Sequence, residues 1–159
     1  MNQYKKVELN SGRNCLKYII RAYKIKEIYI PHYICPAIRS SIYNEGCKIV
    51  YYHINDKFEP ELNFKQFDYI LYANYWGICN ETVKKLSNKY PNLIVDNAHS
   101  FYSNPLGIAS FNSLRKFFPL IQDGAILYTA KTLETNIQQD NFDYEPENLT
   151  QEQIYKNED

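Results

Sequence analysis

Short, unbroken apolar runs recur along this chain, and segments with apolar residues at helical spacing lie between them. The runs are Glu27-Ile28-Tyr29-Ile30, Cys47 to His53, Tyr69-Ile70-Leu71-Tyr72-Ala73, Leu93-Ile94-Val95, Gly107 to Phe111 and Gly124 to Thr129. A run that stays apolar, instead of alternating with polar residues, suits a strand buried on both faces. Between the runs, Leu16, Ile19, Ile20 and Tyr23 follow Ser11, a residue type that caps helix N-termini. Ile34, Ile38, Ile42 and Tyr43 form a second stripe ended at Gly46, and Val83 and Leu86 mark a third helix within 79–90. Strands alternating with helices imply right-handed crossovers. The predicted fold class is therefore α/β, a mainly parallel sheet with helices on both faces. No element is predicted ahead of Ser11, and the polar stretch 54–67, with Pro60, reads as loop.

The chain has 159 residues, which suits one domain. Lys plus Arg and Asp plus Glu both number 18, so the net charge is zero and no nucleic-acid partner held by a positive field is expected. No apolar run approaches the roughly 20 residues of a membrane span. The opening Met1-Asn2-Gln3-Tyr4-Lys5-Lys6 carries no apolar stretch behind its charges, so no secretory signal or membrane partner is expected and the predicted location is cytoplasmic. The cysteines at 15, 35, 47 and 79 form no CxxC pair and no zinc spacing, so they are read as reduced thiols and no metal is expected. The α/β pattern fills residues 1–130. Residues 131–159 are polar and read as a tail or as the start of a further small domain.

In an open parallel sheet, ligands bind beyond the carboxyl ends of the strands. The segments found there are Pro31-His32-Tyr33, Asn74-Tyr75-Trp76-Gly77 and Asp96-Asn97-Ala98-His99-Ser100, with Ser113-Leu114-Arg115-Lys116 and Gln122-Asp123-Gly124 close to the last strand. Asp96 ends an apolar strand, where a carboxylate is costly without a partner. By itself it reads as a cap or turn residue. Lys116 lies in the mostly apolar stretch Arg115 to Leu120 and by itself reads as a snorkelling lysine, whereas partial desolvation would make its amine a usable nucleophile. Ser11-Gly12 at a helix N-terminus could hold a phosphate on free N–H groups.

Taken in order, these segments resemble the DegT/DnrJ/StrS group of sugar aminotransferases, which are fold-type I enzymes using pyridoxal 5′-phosphate. The resemblance covers about residues 9–130 and rests on Ser11-Gly12, Pro31-His32-Tyr33, Asn74 to Gly77, Asp96 to Ser100, Ser113 to Phe118 and Gln122 to Ala125. It implies the large domain of such an enzyme, without the carboxy-terminal small domain. By the same resemblance, Asp96 would pair with the pyridine nitrogen and His99 would lie beside the phenolic oxygen. Lys116 would carry the cofactor and move the proton. Ser11, Gly12 and Ser113 would contribute to the phosphate cup, and Tyr33 or Trp76 would cover the ring. The implied substrates are a nucleotide-linked keto-sugar of surface polysaccharide synthesis and an amino donor, glutamate. The implied partner is a second copy of the chain or one supplying the small domain. The alternative is an inactive remnant or split half that keeps the fold. Three departures from the family pattern stand out: Arg13 follows Ser-Gly in place of Thr, Cys35 occupies the usual aromatic position, and Lys116 is displaced by one residue relative to Asp123-Gly124.

Overall fold

The structure is a computed structural model that describes residues 4–134. Its strands are β1 Lys5–Leu9, β2 Glu27–Pro31, β3 Lys48–Tyr52, β4 Ile70–Ala73, β5 Leu93–Asp96, β6 Ala109–Phe111 and β7 Ala125–Thr129. Its helices are α1 Gly12–Tyr23, α2 Pro36–Asn44 and α3 Asn80–Lys89. The strands form one seven-stranded sheet in the order β1-β7-β6-β5-β4-β2-β3. Strands β3, β2, β4, β5 and β6 run parallel, while β7 runs antiparallel to both β6 and β1.

The helices form for local reasons. Ser11 is extended (φ −158°), and its Oγ accepts from the Asn14 N–H at 3.2 Å, capping α1. Lys24 closes α1 in the left-handed region at φ 54°, and the Ile25 N–H returns to the Ile20 carbonyl at 2.9 Å. Pro36 starts α2, where its missing N–H costs nothing. The α1 stripe Cys15, Leu16, Ile19 and Ile20 packs with Ile38 and Ile42 of α2 against Ile28, Ile30, Leu71 and Ile94 on one sheet face. On the other face, Val83 and Leu86 of α3 cover Ile70, Tyr72, Leu93 and Val95. Both faces are thus covered, as the apolar runs require.

All six strands expected from the sequence are present. The one not expected is β1, which pairs with β7 at the sheet's edge and exposes Lys5, Lys6 and Glu8. Among the described residues, no helix is long and apolar enough to cross a membrane and no group of three or more His, Cys, Asp or Glu could hold a metal ion. Most of the segment 131–159 lies outside the described residues.

Candidate active site

Each parallel strand delivers its next residues to one edge of the sheet. Ile94 and Asp96 share a face of β5, so the carboxylate emerges on the side of α1 and α2. Asp96 is 8% exposed, and among the described residues the one hydrogen bond to its carboxylate is from the Ala98 N–H to Oδ1 at 2.8 Å. Burial pushes the carboxyl up to about 6, opposed by that N–H and by the charge of Lys116. Below it on α1, burial and then the Asp96 charge raise the Cys15 thiol.

Lys116 ends a 3₁₀ turn, Leu114–Lys116. Its Nζ lies 2.9 Å from Nε2 of His99. The lysine is exposed, as a snorkelling lysine would be, while Phe117 and Phe118 are half-buried and pack against Phe101. Burial holds the His99 imidazole below its usual range, and Lys116 lowers it further. A neutral ring accepts through one nitrogen, and Lys116 is a donor for it.

Two cavities meet at Cys35, Asp96 and Lys116. The larger, about 610 Å³, is lined by Ser11, Gly12, Arg13, Ser113, Arg115 and Gln122. The start of α1, which carries Arg13, shares this pocket with Arg115 and Lys116 and with the carboxylates of Asp96 and Asp123; the helix N-terminus and the three cations favour an anion. Ser113 is 8% exposed, and its hydroxyl makes no capping bond to the turn it precedes. The smaller cavity, about 350 Å³, is walled by Tyr33, Ile34, Ala73, Tyr75, Trp76 and His99. The rings of Tyr33 and Trp76 lie 6.4 Å apart, and the Tyr75 hydroxyl donates to the Tyr33 carbonyl at 2.8 Å.

Backbone bonds fix these loops to each other. The Gly124 N–H donates to the Asn10 carbonyl at 2.7 Å, and the Gly124 carbonyl accepts from Leu114 at 2.8 Å. The segment before the last strand is thereby tied to the entry of α1. Gly124 sits at φ 127°, and a Cβ there would come within 2.9 Å of the Leu114 side chain, so no other residue fits easily. The loops after β4 and β5 are joined by Asn74, whose amide donates to Asn97 Oδ1 at 3.0 Å and to Ser100 Oγ at 3.2 Å.

All eight residues singled out in the sequence face these cavities: Ser11, Gly12 and Ser113 the larger, Tyr33, Trp76 and His99 the smaller, Asp96 and Lys116 both. Sequence reasoning did not assign Arg13, Arg115, Cys35 or Gln122 to the site. Arg13 carried a usable signal, a cation in the first turn after Ser-Gly. Gln122 stood in a segment already placed near the ligand edge, and Cys35 stood at the family's usual aromatic position, but neither was given a role.

The fold is that of sugar aminotransferases. An aminotransferase from Psychrobacter cryohalolentis superimposes with a TM-score of 0.64 at 16% identity, over 79% of this chain and 37% of the other. Helicobacter pylori PseC, an aminotransferase involved in the biosynthesis of pseudoaminic acid, gives 0.61 at 19% identity, over 79% and 40%. Spr1654 of Streptococcus pneumoniae, described as a sugar aminotransferase and solved in its PLP form, gives 0.58 at 19% identity, over 83% and 42%. The chain thus spans 37–42% of the length of these proteins. No protein-family model matches it, and no curated protein sequence does.

The donor set fits pyridoxal 5′-phosphate. A phosphate suits the cationic cavity at α1 with the unbonded Ser113 hydroxyl, a flat ring suits the aromatic cavity, and the junction presents a primary amine and a buried acid with an unused oxygen.

Proposed function

We propose that the described domain is the large domain of a pyridoxal 5′-phosphate-dependent aminotransferase acting on a nucleotide-linked keto-sugar, with glutamate as amino donor. The observation that carries this reading is the opening of Lys116, Asp96 and His99 onto joined cavities, one cationic and one aromatic. The bound cofactor would supply an electron sink for a carbanion. In this reading Ser11, Gly12 and Ser113, with Arg13 and Arg115, hold the phosphate. Asp96 stabilises a positive pyridine nitrogen, whose charge would in turn lower the raised carboxyl. His99 stands beside the phenolic oxygen and accepts from Lys116. Lys116 provides the covalent attachment and, when released, the base that moves a proton between carbons. Tyr33 and Trp76 close the ring's open side. In this reading the domain spans residues 1–130, and residues 131–159 are a polar tail or the start of a further small domain. Surface polysaccharide synthesis in the cytoplasm is the proposed setting. The proposed partner is a second copy of the chain or a protein providing the closing domain.

A second reading, an inactive remnant or split half that keeps the fold and binds without turnover, is favoured by Arg13 after Ser-Gly and by Cys35 at the usual aromatic position. Adding pyridoxal 5′-phosphate separates the two. Catalysis predicts a visible absorption band that disappears in Lys116→Ala, together with its bleaching by glutamate. A band that glutamate leaves unchanged supports the second reading, and no band at all overturns both as cofactor-binding accounts.

A further inference from the structure

A third cavity, about 560 Å³, lies between the start of α3 and the loop 97–106 and shares Asn74, Trp76 and His99 with the aromatic cavity. We infer that this groove holds the sugar ring of the substrate, on the far side of His99 from the cationic cavity. This rests on the reading of the chain as a sugar aminotransferase and adds where the sugar sits.

The inner wall is rigid. The Asn74 amide donates to Asn80 Oδ1 at 2.9 Å, the Ser103 hydroxyl donates to the same oxygen at 2.9 Å, and Ser100 and Ser103 share a short hydrogen bond. The 74–77 turn is pressed onto this wall: Gly77 (φ 74°) leaves a Cβ only 3.0 Å from Ser100 Oγ.

The rim is unspent. The side chains of Glu81, Lys84, Tyr102 and Asn104 line the groove without a hydrogen bond or ion pair among the described residues. One carboxylate and one ammonium cancel, so the rim offers a neutral set of donors and acceptors, which suits hydroxyl groups better than a phosphate. Trp76 is 54% exposed and Tyr102 is 83% exposed, giving flat apolar faces beside those polar groups, the mixture a pyranose presents in reverse. Trp76 is also held at φ 48°, a left-handed conformation costing about 1–2 kcal/mol for a residue with a Cβ. Strain kept at the wall between two cavities marks a side chain whose position matters.

Trp76 is the only tryptophan in the chain, so its emission reports the groove directly. The test titrates the full chain with UDP-N-acetylglucosamine, GDP-mannose and dTDP-glucose, and with UDP, GDP and dTDP as sugar-free controls. The expected result is a saturable emission change with at least one nucleotide sugar, tighter than with its matching nucleotide. Tyr102→Ala and Asn104→Ala should each weaken it about two- to tenfold, as loss of one contact does, and both residues are exposed enough to leave folding intact. The titrations are run without added pyridoxal 5′-phosphate, which separates failure of the groove from failure of the cofactor reading. No saturable change with any of the three sugars overturns the inference, as does a titration indifferent to both rim variants.

Discussion

The two cavities that meet at Lys116 are built from opposite chemistry. The larger is lined by a helix start and charged groups: the first turn of α1, the turn carrying Ser113, the cations Arg13, Arg115 and Lys116, and the carboxylates Asp96 and Asp123. The smaller is lined by rings that already pack on one another, Tyr33 on Tyr75 at 5.7 Å and Tyr75 against Trp76 at 6.0 Å. The first is shaped to hold charge and the second to hold a flat surface. The proposed cofactor, a planar ring bearing a phosphate, would use both. Asp96 and Lys116 stand where the two halves join, so the chemistry falls where neither half alone would place it.

That contrast can be broken from either side. The largest expected effect is in the cationic half. Arg115→Ala should weaken pyridoxal 5′-phosphate about 10- to 100-fold, the scale of one charge-assisted hydrogen bond, while leaving pyridoxal, which lacks the phosphate, nearly unaffected. Comparing dissociation constants for the two compounds checks this. Equal losses for both would show that Arg115 does not serve the anion.

At the junction the expected effect is on stability and has a defined sign. The Asp96 carboxyl, raised to about 6 mainly by burial, binds its proton more tightly in the folded state than in the unfolded one. The ligand-free protein therefore loses stability as pH rises from about 4 to about 6, and the penalty persists above that. Asp96→Asn should remove it, adding about 1–3 kcal/mol at pH 7 and almost nothing at pH 3. Urea melts at the two pH values measure the difference. In the same variant, binding of pyridoxal 5′-phosphate should weaken, because an amide cannot balance a positive ring nitrogen. A smaller effect is expected at the entry of α1. Ser11→Ala removes the cap on Asn14 and should cost about 0.5–2 kcal/mol, read from the same melts.

Much of this arrangement could be read from the residues, for reasons that differ by element. Strands β2 to β7 are unbroken apolar runs because both of their faces are covered, and such runs are conspicuous. Strand β1 was not, because an antiparallel edge strand turns only Val7 and Leu9 toward the core and fills the rest with Lys5, Lys6 and Glu8. Asp96 was visible because a carboxylate ending such a run is chemically out of place. Lys116 by itself read as a snorkelling lysine, and its exposure agrees, with Phe117 and Phe118 packed on Phe101; only the family resemblance gave it a role. Cys35 and Gln122 reach the site only through how loops fold back, and the clip from Gly124 to Asn10 joins segments more than a hundred residues apart. No local pattern records such a contact.

The central claim is that the Lys116 amine and the Asp96 carboxylate address one bound ring. Reduction of the full chain with borohydride in the presence of pyridoxal 5′-phosphate, followed by peptide mass spectrometry, tests it most directly. The account predicts a pyridoxyl group on the peptide containing Lys116 and a marked loss of that label in Asp96→Asn. Label spread over surface lysines, or label at Lys116 indifferent to residue 96, would contradict it.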